Sequence, residues 1–138
     1  MEKAGTRTRD IQFYSEKNSQ MVCVHSRQAR DFARYLEDQS WVLFYETCAP
    51  LERERLRHVN PVDLRKDYLE IEWTTDFVIH QADGRIAVRE IVDCRDFTKR
   101  AVVEKLELSR RYWSALEIAV WKLIISGDAD ISKEVGEA

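Results

Sequence analysis

The sequence is poor in glycine, proline and cysteine. Only 4 Gly and 2 Pro occur in 138 residues, which excludes a collagen-like or low-complexity chain and favours long regular elements. The three cysteines, Cys23, Cys48 and Cys94, are scattered, form no CxxC pair and have no histidine at zinc-finger spacing. Such a pattern is typical of a reducing compartment, so we expect a cytoplasmic protein.

Long hydrophobic runs and an excess of one charge sign are also missing. The longest apolar stretch, residues 118–125, is interrupted by Lys122, whereas about 20 apolar residues are needed to cross a bilayer. We therefore expect no membrane contact, and the N-terminus lacks the apolar segment of a signal peptide. The formal net charge is −3, so any contact with nucleic acid depends on local basic patches.

A chain of 138 residues is long enough for one domain. We predict a loose polar arm over residues 1–20, a globular domain over residues 21–126 and a polar tail over residues 127–138. Hydrophobic periodicity within the domain predicts the order β-α-β-β-β-α-β, which is a mixed α/β fold with helices flanking a central sheet.

The elements follow from local signals. Ser26 is placed to cap a helix that ends near Gln39, and Asp83-Gly84 predicts a hairpin turn. A second, amphipathic helix of roughly 17 residues starts near residue 98. Its predicted buried side comprises Val102, Val103, Leu106, Trp113 and Leu116, and its predicted exposed side comprises Lys99, Glu104 and Arg111. Residues 52–67 form a charged surface segment. Strands are predicted over residues 21–24, 41–45, 68–81, 86–92 and 118–125.

Two carboxylates are placed to meet across the predicted hairpin. Asp76 starts one strand and Glu90 lies partway along the next, so both can reach one edge of the sheet. Paired oxygen ligands suit Mg²⁺ or Mn²⁺, and in a nuclease such an ion activates the attacking water. On spacing alone, the alternative is that Asp76 caps a strand end and Glu90 pairs with Arg89 or Arg110 on the surface.

A longer motif follows: residues 103–113 read Val-Glu-Lys-Leu-Glu-Leu-Ser-Arg-Arg-Tyr-Trp, and Trp121 lies beyond. Together with Thr-Asp-Phe-Val-Ile at residues 75–79, this string resembles the N-terminal catalytic domain of the TnsA family. These are transposon-end endonucleases that nick the 5′ ends of an element beside a separate transposase subunit. The resemblance covers roughly residues 24–125. It implies a restriction-endonuclease-like core of the PD-(D/E)xK type, Mg²⁺ or Mn²⁺ as cofactor, and DNA and a transposase subunit as partners.

The chain departs from the family pattern at two positions. Carried over residue by residue, the family's aspartate falls on Asp76 and its glutamate or glutamine on Glu90. Its lysine falls on Val92, and the glutamate of its first helix falls on Ala29. Loss of a positioning or acid–base group typically costs about 10²- to 10⁴-fold in rate. The resemblance therefore implies a nuclease fold whose cleavage activity is diminished or lost.

Substitutes for the missing groups are open at this point. Lys105 or Lys99 could supply an amino group from the following helix, and Asp31 could supply a carboxylate. A shifted register would use the Asp-Cys-Arg triplet at residues 93–95. We take Asp76, Glu90 and Lys105 as the candidate catalytic residues. Two further hypotheses are an active endonuclease with a relocated lysine, and a protein-interaction module that binds a partner through the 52–67 segment.

Basic residues form two candidate DNA-binding groups. The first comprises Arg27, Arg30 and Arg34, which share one helix face by their spacing and can meet phosphates. The second comprises Lys99, Arg100, Lys105, Arg110 and Arg111. For each group, the alternative is a solvated helix face balanced by neighbouring acids. A homo-oligomer is compatible with this sequence.

The remaining aromatic and imidazole side chains carry weaker signals. Trp73, Trp113 and Trp121 lie on apolar faces and are expected in the core. His80, the histidine nearest the carboxylate edge, is expected to be a packing or surface residue. His25 and His58 predict nothing specific.

Overall fold

The computed structural model describes residues 10–62, 64, 73–116 and 120–126. It confirms the mixed α/β class. None of the described helices is both long and apolar enough to cross a bilayer. The elements are β1 (Ile11–Ser15), β2 (Gln20–Val24), α1 (Arg27–Glu37), β3 (Val42–Pro50), α2 (Arg53–Leu56), β4 (Thr74–Gln81), β5 (Ile86–Asp93), a 3₁₀ helix (Cys94–Thr98), α3 (Arg100–Ser114) and β6 (Val120–Ser126).

The predicted loose arm over residues 1–20 is wrong for its second half. Residues 11–15 form β1, which pairs antiparallel with β2 in a two-stranded sheet. Ile11, Phe13 and Ser15 alternate with exposed residues and face inward, which is the period-two pattern of a half-buried strand. Residues 1–9, the start of the predicted strand at residues 68–72, and the whole of the predicted tail at residues 127–138 lie outside the described residues.

Within the described part of the chain, the central sheet has four strands in the order β3-β4-β5-β6. β3, β4 and β5 are antiparallel, and β6 runs parallel to β5. A parallel pair requires a crossover, and α3 lies in that connection. The predicted turn joins β4 to β5. Gly84 in this turn has φ 89°, a left-handed conformation that glycine adopts without the steric cost of a Cβ.

The helices α1 and α3 pack on opposite faces of this sheet. α1 buries Phe32 against Phe77 of β4, with ring centroids 5.1 Å apart. Neighbouring residues of a strand point to opposite faces. On β5, Ile91 packs against the core that α1 shares, whereas Glu90 contacts Ser109 of α3. The sheet is therefore the middle layer between two helices.

The predicted buried face of α3 is confirmed at Leu106 and is wrong at Val103 and Glu104. Val103 is 45% exposed, whereas Glu104 is only 6% exposed. Leu108 and Tyr112 are buried in a cluster that includes Leu56 of α2. Residues four apart in a helix lie on the same face, so the packing of Leu108 and Tyr112 carries Glu104 inward with them.

Glu37, at the end of α1, joins three elements. Its Oε2 accepts hydrogen bonds from the hydroxyls of Ser15 and Tyr45, each at 2.6 Å, and its Oε1 accepts the Lys17 N–H at 3.3 Å. Burial raises the Glu37 pKa, but these hydrogen bonds outweigh burial and hold the pKa below its ordinary value. The Asn18 side chain adds two bonds to the Tyr45 backbone, at 2.7 and 3.1 Å. The β1–β2 hairpin is thereby fixed to α1 and β3.

Candidate functional site

Asp76 and Glu90 lie side by side across the β4–β5 pair. Phe77 pairs with Arg89 in the register of the two strands, so the next residues outward, Asp76 and Glu90, face each other. The Asp76 N–H donates to Glu90 Oε1 at 3.1 Å, and Asp76 Oδ2 accepts the Ile91 N–H at 2.8 Å. The hairpin thus brings together the two carboxylates that the sequence predicted as partners.

Glu90 is fully enclosed, with 0% of its surface exposed. Its Oε2 accepts the Ser109 hydroxyl at 2.5 Å, and Ser109 Oγ accepts the Trp121 Nε1–H at 3.0 Å. Burial, followed by the negative charge of Asp76, raises the pKa of Glu90 well above its ordinary value. The alternative that Glu90 forms an ion pair on the surface is therefore wrong.

A cavity of about 200 Å³ opens beside Asp76, where both helices reach the rim of the sheet. Ala29 of α1, Ile91 of β5 and Lys105 of α3 contribute to its wall together with Asp76. Glu90 does not line this cavity and lies behind Asp76. A cation in the cavity would meet one carboxylate, and Mg²⁺ is usually held by one or two carboxylates with water completing its shell.

Lys105 of α3 is one of the candidate catalytic residues predicted from the sequence. It lines the same cavity as Asp76, and its positive charge partly offsets the rise that burial and Asp76 impose on the Glu90 pKa. Among the described residues, no carboxylate forms an ion pair with Lys105. The residue at the family's lysine position, Val92, is 5% exposed and belongs to the interior.

The other proposed substitutes lie outside the cavity. Lys99 Nζ pairs with Asp96 at 3.0 Å, and Asp31 pairs with Arg30 at 3.6 Å. None of these residues lines the cavity wall. Lys105 is therefore the substitute that the fold brings to Asp76.

The shifted triplet at residues 93–95 is engaged elsewhere. Asp93 caps the 3₁₀ helix: its Oδ1 accepts the Arg95 N–H at 2.9 Å, and its Oδ2 accepts the Arg95 guanidinium at 2.6 Å. These bonds lower the pKa of Asp93 to about 2. Neither residue lines the cavity beside Asp76, so the acidic-x-basic pattern here is a local turn.

Sequence reasoning missed two polar residues of the cavity wall, His25 and Cys48. Burial, followed by the charge of Asp76, raises the pKa of the Cys48 thiol to about 11. A signal for His25 was present, because it directly precedes Ser26, the predicted cap of the helix that carries Ala29. Cys48 lies in β3 with a positive φ of 52°, and no local pattern identified it.

The first basic group is only partly available to a ligand. Arg27 and Arg34 are exposed, and neither forms an ion pair within the part of the chain that the structure describes. Arg30 is half-buried, and its Nε has no hydrogen-bond partner among the described residues. The face of α1 therefore presents two unbalanced guanidinium groups to solvent.

The second basic group is largely balanced by acidic residues, as the alternative of a solvated, charge-balanced helix face predicted. Arg111 also donates to the backbone carbonyls of Asn60 and Val62, at 2.5 and 2.8 Å. Its guanidinium thus holds a loop against α3. The ion pairs are Lys99 with Asp96, Arg100 with Glu104, and Arg110 and Arg111 with Glu107.

The tryptophans and His80 have structural contacts. Trp73, Trp113 and Trp121 are half-buried, and the Trp113 Nε1–H donates to Thr75 at 2.7 Å. His80 Nε2 lies 2.7 Å from Glu46, and its ring stacks on Phe44 at 4.2 Å. The prediction of a packing or surface role for His80 is confirmed.

No protein-family model matches this chain, and no curated protein matches it either.

Proposed function

We propose that this chain is a DNA-associated protein of a transposon or related mobile element, with a TnsA-like, restriction-endonuclease-like core whose metal-dependent cleavage is diminished or lost. The observation that carries the proposal is the enclosure of Glu90. The hairpin pairs Glu90 with Asp76, yet Glu90 is 0% exposed and does not line the cavity.

The architecture supports the nuclease-like core. A four-stranded mixed sheet lies between α1 and α3, and a hairpin of that sheet carries the two acidic residues at its rim. The helix that bears the long resemblance motif packs directly behind Glu90 through Ser109. Each of these features is one that the resemblance implies.

The chemistry of the cavity supports weak or absent cleavage. A metal ligand must be ionised, whereas burial and Asp76 raise the pKa of Glu90 and favour its protonated form. Ala29 brings no carboxylate to the cavity wall, and Val92 brings no amine. Mg²⁺ or Mn²⁺ would therefore be held through Asp76 and water, without the second carboxylate of an active centre.

Nicking of supercoiled plasmid in Mn²⁺ tests this proposal. We expect wild-type protein and Asp76→Ala to nick at the same slow rate, because Glu90 is enclosed and the cavity wall lacks the second carboxylate of an active centre. Rapid nicking by wild type that disappears in Asp76→Ala would contradict the proposal.

A specific observation favours a second candidate, an active endonuclease that uses Lys105. Lys105 lines the same cavity as Asp76, whereas Lys99 does not. This candidate predicts wild-type nicking that is lost in Lys105→Ala and kept in Lys99→Ala. Loss in both variants, or in neither, would contradict a role for Lys105 as the relocated lysine.

A further inference from the structure

A second group of potential ligands lies on the β1–β2 hairpin. Asp10, Cys23 and His25 each offer a ligand atom, and these three atoms all lie within 4.8 Å of one another. The strand register explains the grouping. Ile11 pairs with Val24, so Asp10 and His25, one residue further outward, lie opposite each other, and Cys23 is two residues before His25 on the same face.

The group is accessible and already partly ordered. His25 Nδ1 lies 2.8 Å from Asp10 Oδ1, and the two side chains are 52% and 72% exposed. Cys23 is half-buried beside them. Cys23 and His25 also line a groove of about 660 Å³ between β2 and β3. An ion can therefore reach these atoms from solvent without opening the core.

We propose that Asp10, Cys23 and His25 bind Zn²⁺ through three protein ligands, with the fourth position open to water in the groove. A thiolate, an imidazole and a carboxylate form a ligand set that suits this ion, whereas Mg²⁺ prefers oxygen alone. One thiolate and one carboxylate balance the two positive charges of the ion. The ion replaces the hydrogen bond between His25 and Asp10. This proposal does not rest on the DNA-associated role.

Cobalt substitution tests the site in the full-length, reduced, metal-stripped protein. We expect Co²⁺ to produce a near-ultraviolet thiolate-to-metal absorption band that Zn²⁺ abolishes and excess Mg²⁺ does not. Cys23→Ser is expected to lose the band. Asp10→Asn and His25→Gln, whose side chains are exposed in wild type, are expected to keep the metal-free circular dichroism spectrum and to weaken Zn²⁺ binding at least about tenfold.

The remaining cysteines provide matched controls. Cys94→Ser lies outside the group and is expected to keep the band unchanged. Cys48→Ser is expected to keep it as well, because the fourth position is open. Absence of the band in wild type, an unchanged band in Cys23→Ser, or wild-type Zn²⁺ affinity in both Asp10→Asn and His25→Gln would overturn the site. Loss of the band in Cys48→Ser would overturn the open position.

Discussion

At the scale of single residues, Glu90 places an ionisable group in the interior with both oxygens hydrogen-bonded. Its pKa is raised from 4.5 to about 8, first by burial and then by Asp76. Between these two values the folded chain keeps a proton that the unfolded chain has released. The free energy of unfolding therefore falls as pH rises through this window and is insensitive to Glu90 outside it.

Replacing Glu90 by Gln should remove this pH dependence. The amide oxygen can still accept the Asp76 N–H, and the amide nitrogen can donate to Ser109 Oγ. We expect Glu90→Gln to match wild type near pH 5 and to exceed it near pH 8 by roughly 2–4 kcal/mol in the free energy of unfolding. Urea unfolding at the two pH values measures the difference.

A matched exposed variant controls for general charge effects. Glu54 has an 81% exposed side chain, so Glu54→Gln should retain the wild-type pH dependence. Asp93 and Glu107 have pKa values lowered to about 2. Their contributions to the free energy of unfolding are therefore lost as the pH falls below about 4.5, outside the window in which Glu90 acts. Equal stability of Glu90→Gln and wild type near pH 8 would contradict an enclosed, protonated Glu90.

The pairing of Asp76 with Glu90 could be predicted from sequence because an Asp-Gly turn fixes hairpin register locally. The enclosure of Glu90 could not. It depends on Ser109, which is 19 residues away and reaches Glu90 only through the packing of α3. The position of Lys105 in the wall of the cavity beside Asp76 also depends on the packing of α3. The sequence alone therefore could not distinguish Lys105 from Lys99 as the substitute lysine.

At the scale of elements, Arg111 fastens a loop to α3. Its side chain, 20% exposed, pairs with Glu107 and donates to two backbone carbonyls of the loop. The adjacent Arg110 shares the Glu107 partner but is 51% exposed. The two neighbouring arginines therefore differ in the number of hydrogen bonds that their loss removes.

We expect Arg111→Ala to lower the free energy of unfolding by about 1–3 kcal/mol, because two carbonyls lose a charged donor. Arg110→Ala is the matched control and should change it by less than about 0.5 kcal/mol, since exposed ion pairs contribute little. Thermal or urea unfolding of the two variants provides the comparison. Equal destabilisation by both substitutions would contradict the loop-fastening role of Arg111.

Elements with strong local signals were predicted well. Ser26 caps α1 as expected, since its Oγ accepts the Ala29 N–H at 3.0 Å. β1 was missed although Ile11 and Phe13 alternate with polar neighbours, because five residues give a short pattern in a polar context. On α3, Val103 and Glu104 were assigned to the wrong sides because hydrophobicity alone placed Val103 inside, whereas the buried face is set by Leu108 and Tyr112.

At the scale of the whole molecule, a net charge of −3 gives no general attraction to phosphate. A DNA contact must therefore use cations that internal acids do not balance. Within the described residues, Arg27 and Arg34 of α1 form no ion pair, and Lys105 lies in the cavity beside Asp76. The basic groups of α3 are mostly engaged with neighbouring carboxylates.

We expect Arg27→Ala/Arg34→Ala to weaken DNA binding and to reduce the slope of log affinity against log salt by about 2, because each phosphate contact releases counterions. Fluorescence titration at several salt concentrations measures both quantities. Arg85→Ala is the control, since Arg85 pairs with Asp83 in the hairpin turn. A wild-type protein without salt-dependent DNA affinity would instead support the protein-interaction module.

The links from the β1–β2 hairpin to Glu37 and Tyr45 also bear on how the protein should be prepared. A fragment beginning at Met21 would discard Ser15, Lys17 and Asn18. It would lose two of the three hydrogen bonds to Glu37 described above, and both bonds from the Asn18 side chain to the Tyr45 backbone. Removing the polar N-terminal segment to aid crystallisation would therefore destabilise the contacts between the β1–β2 hairpin, α1 and β3. Expression boundaries should be drawn upstream of Asp10.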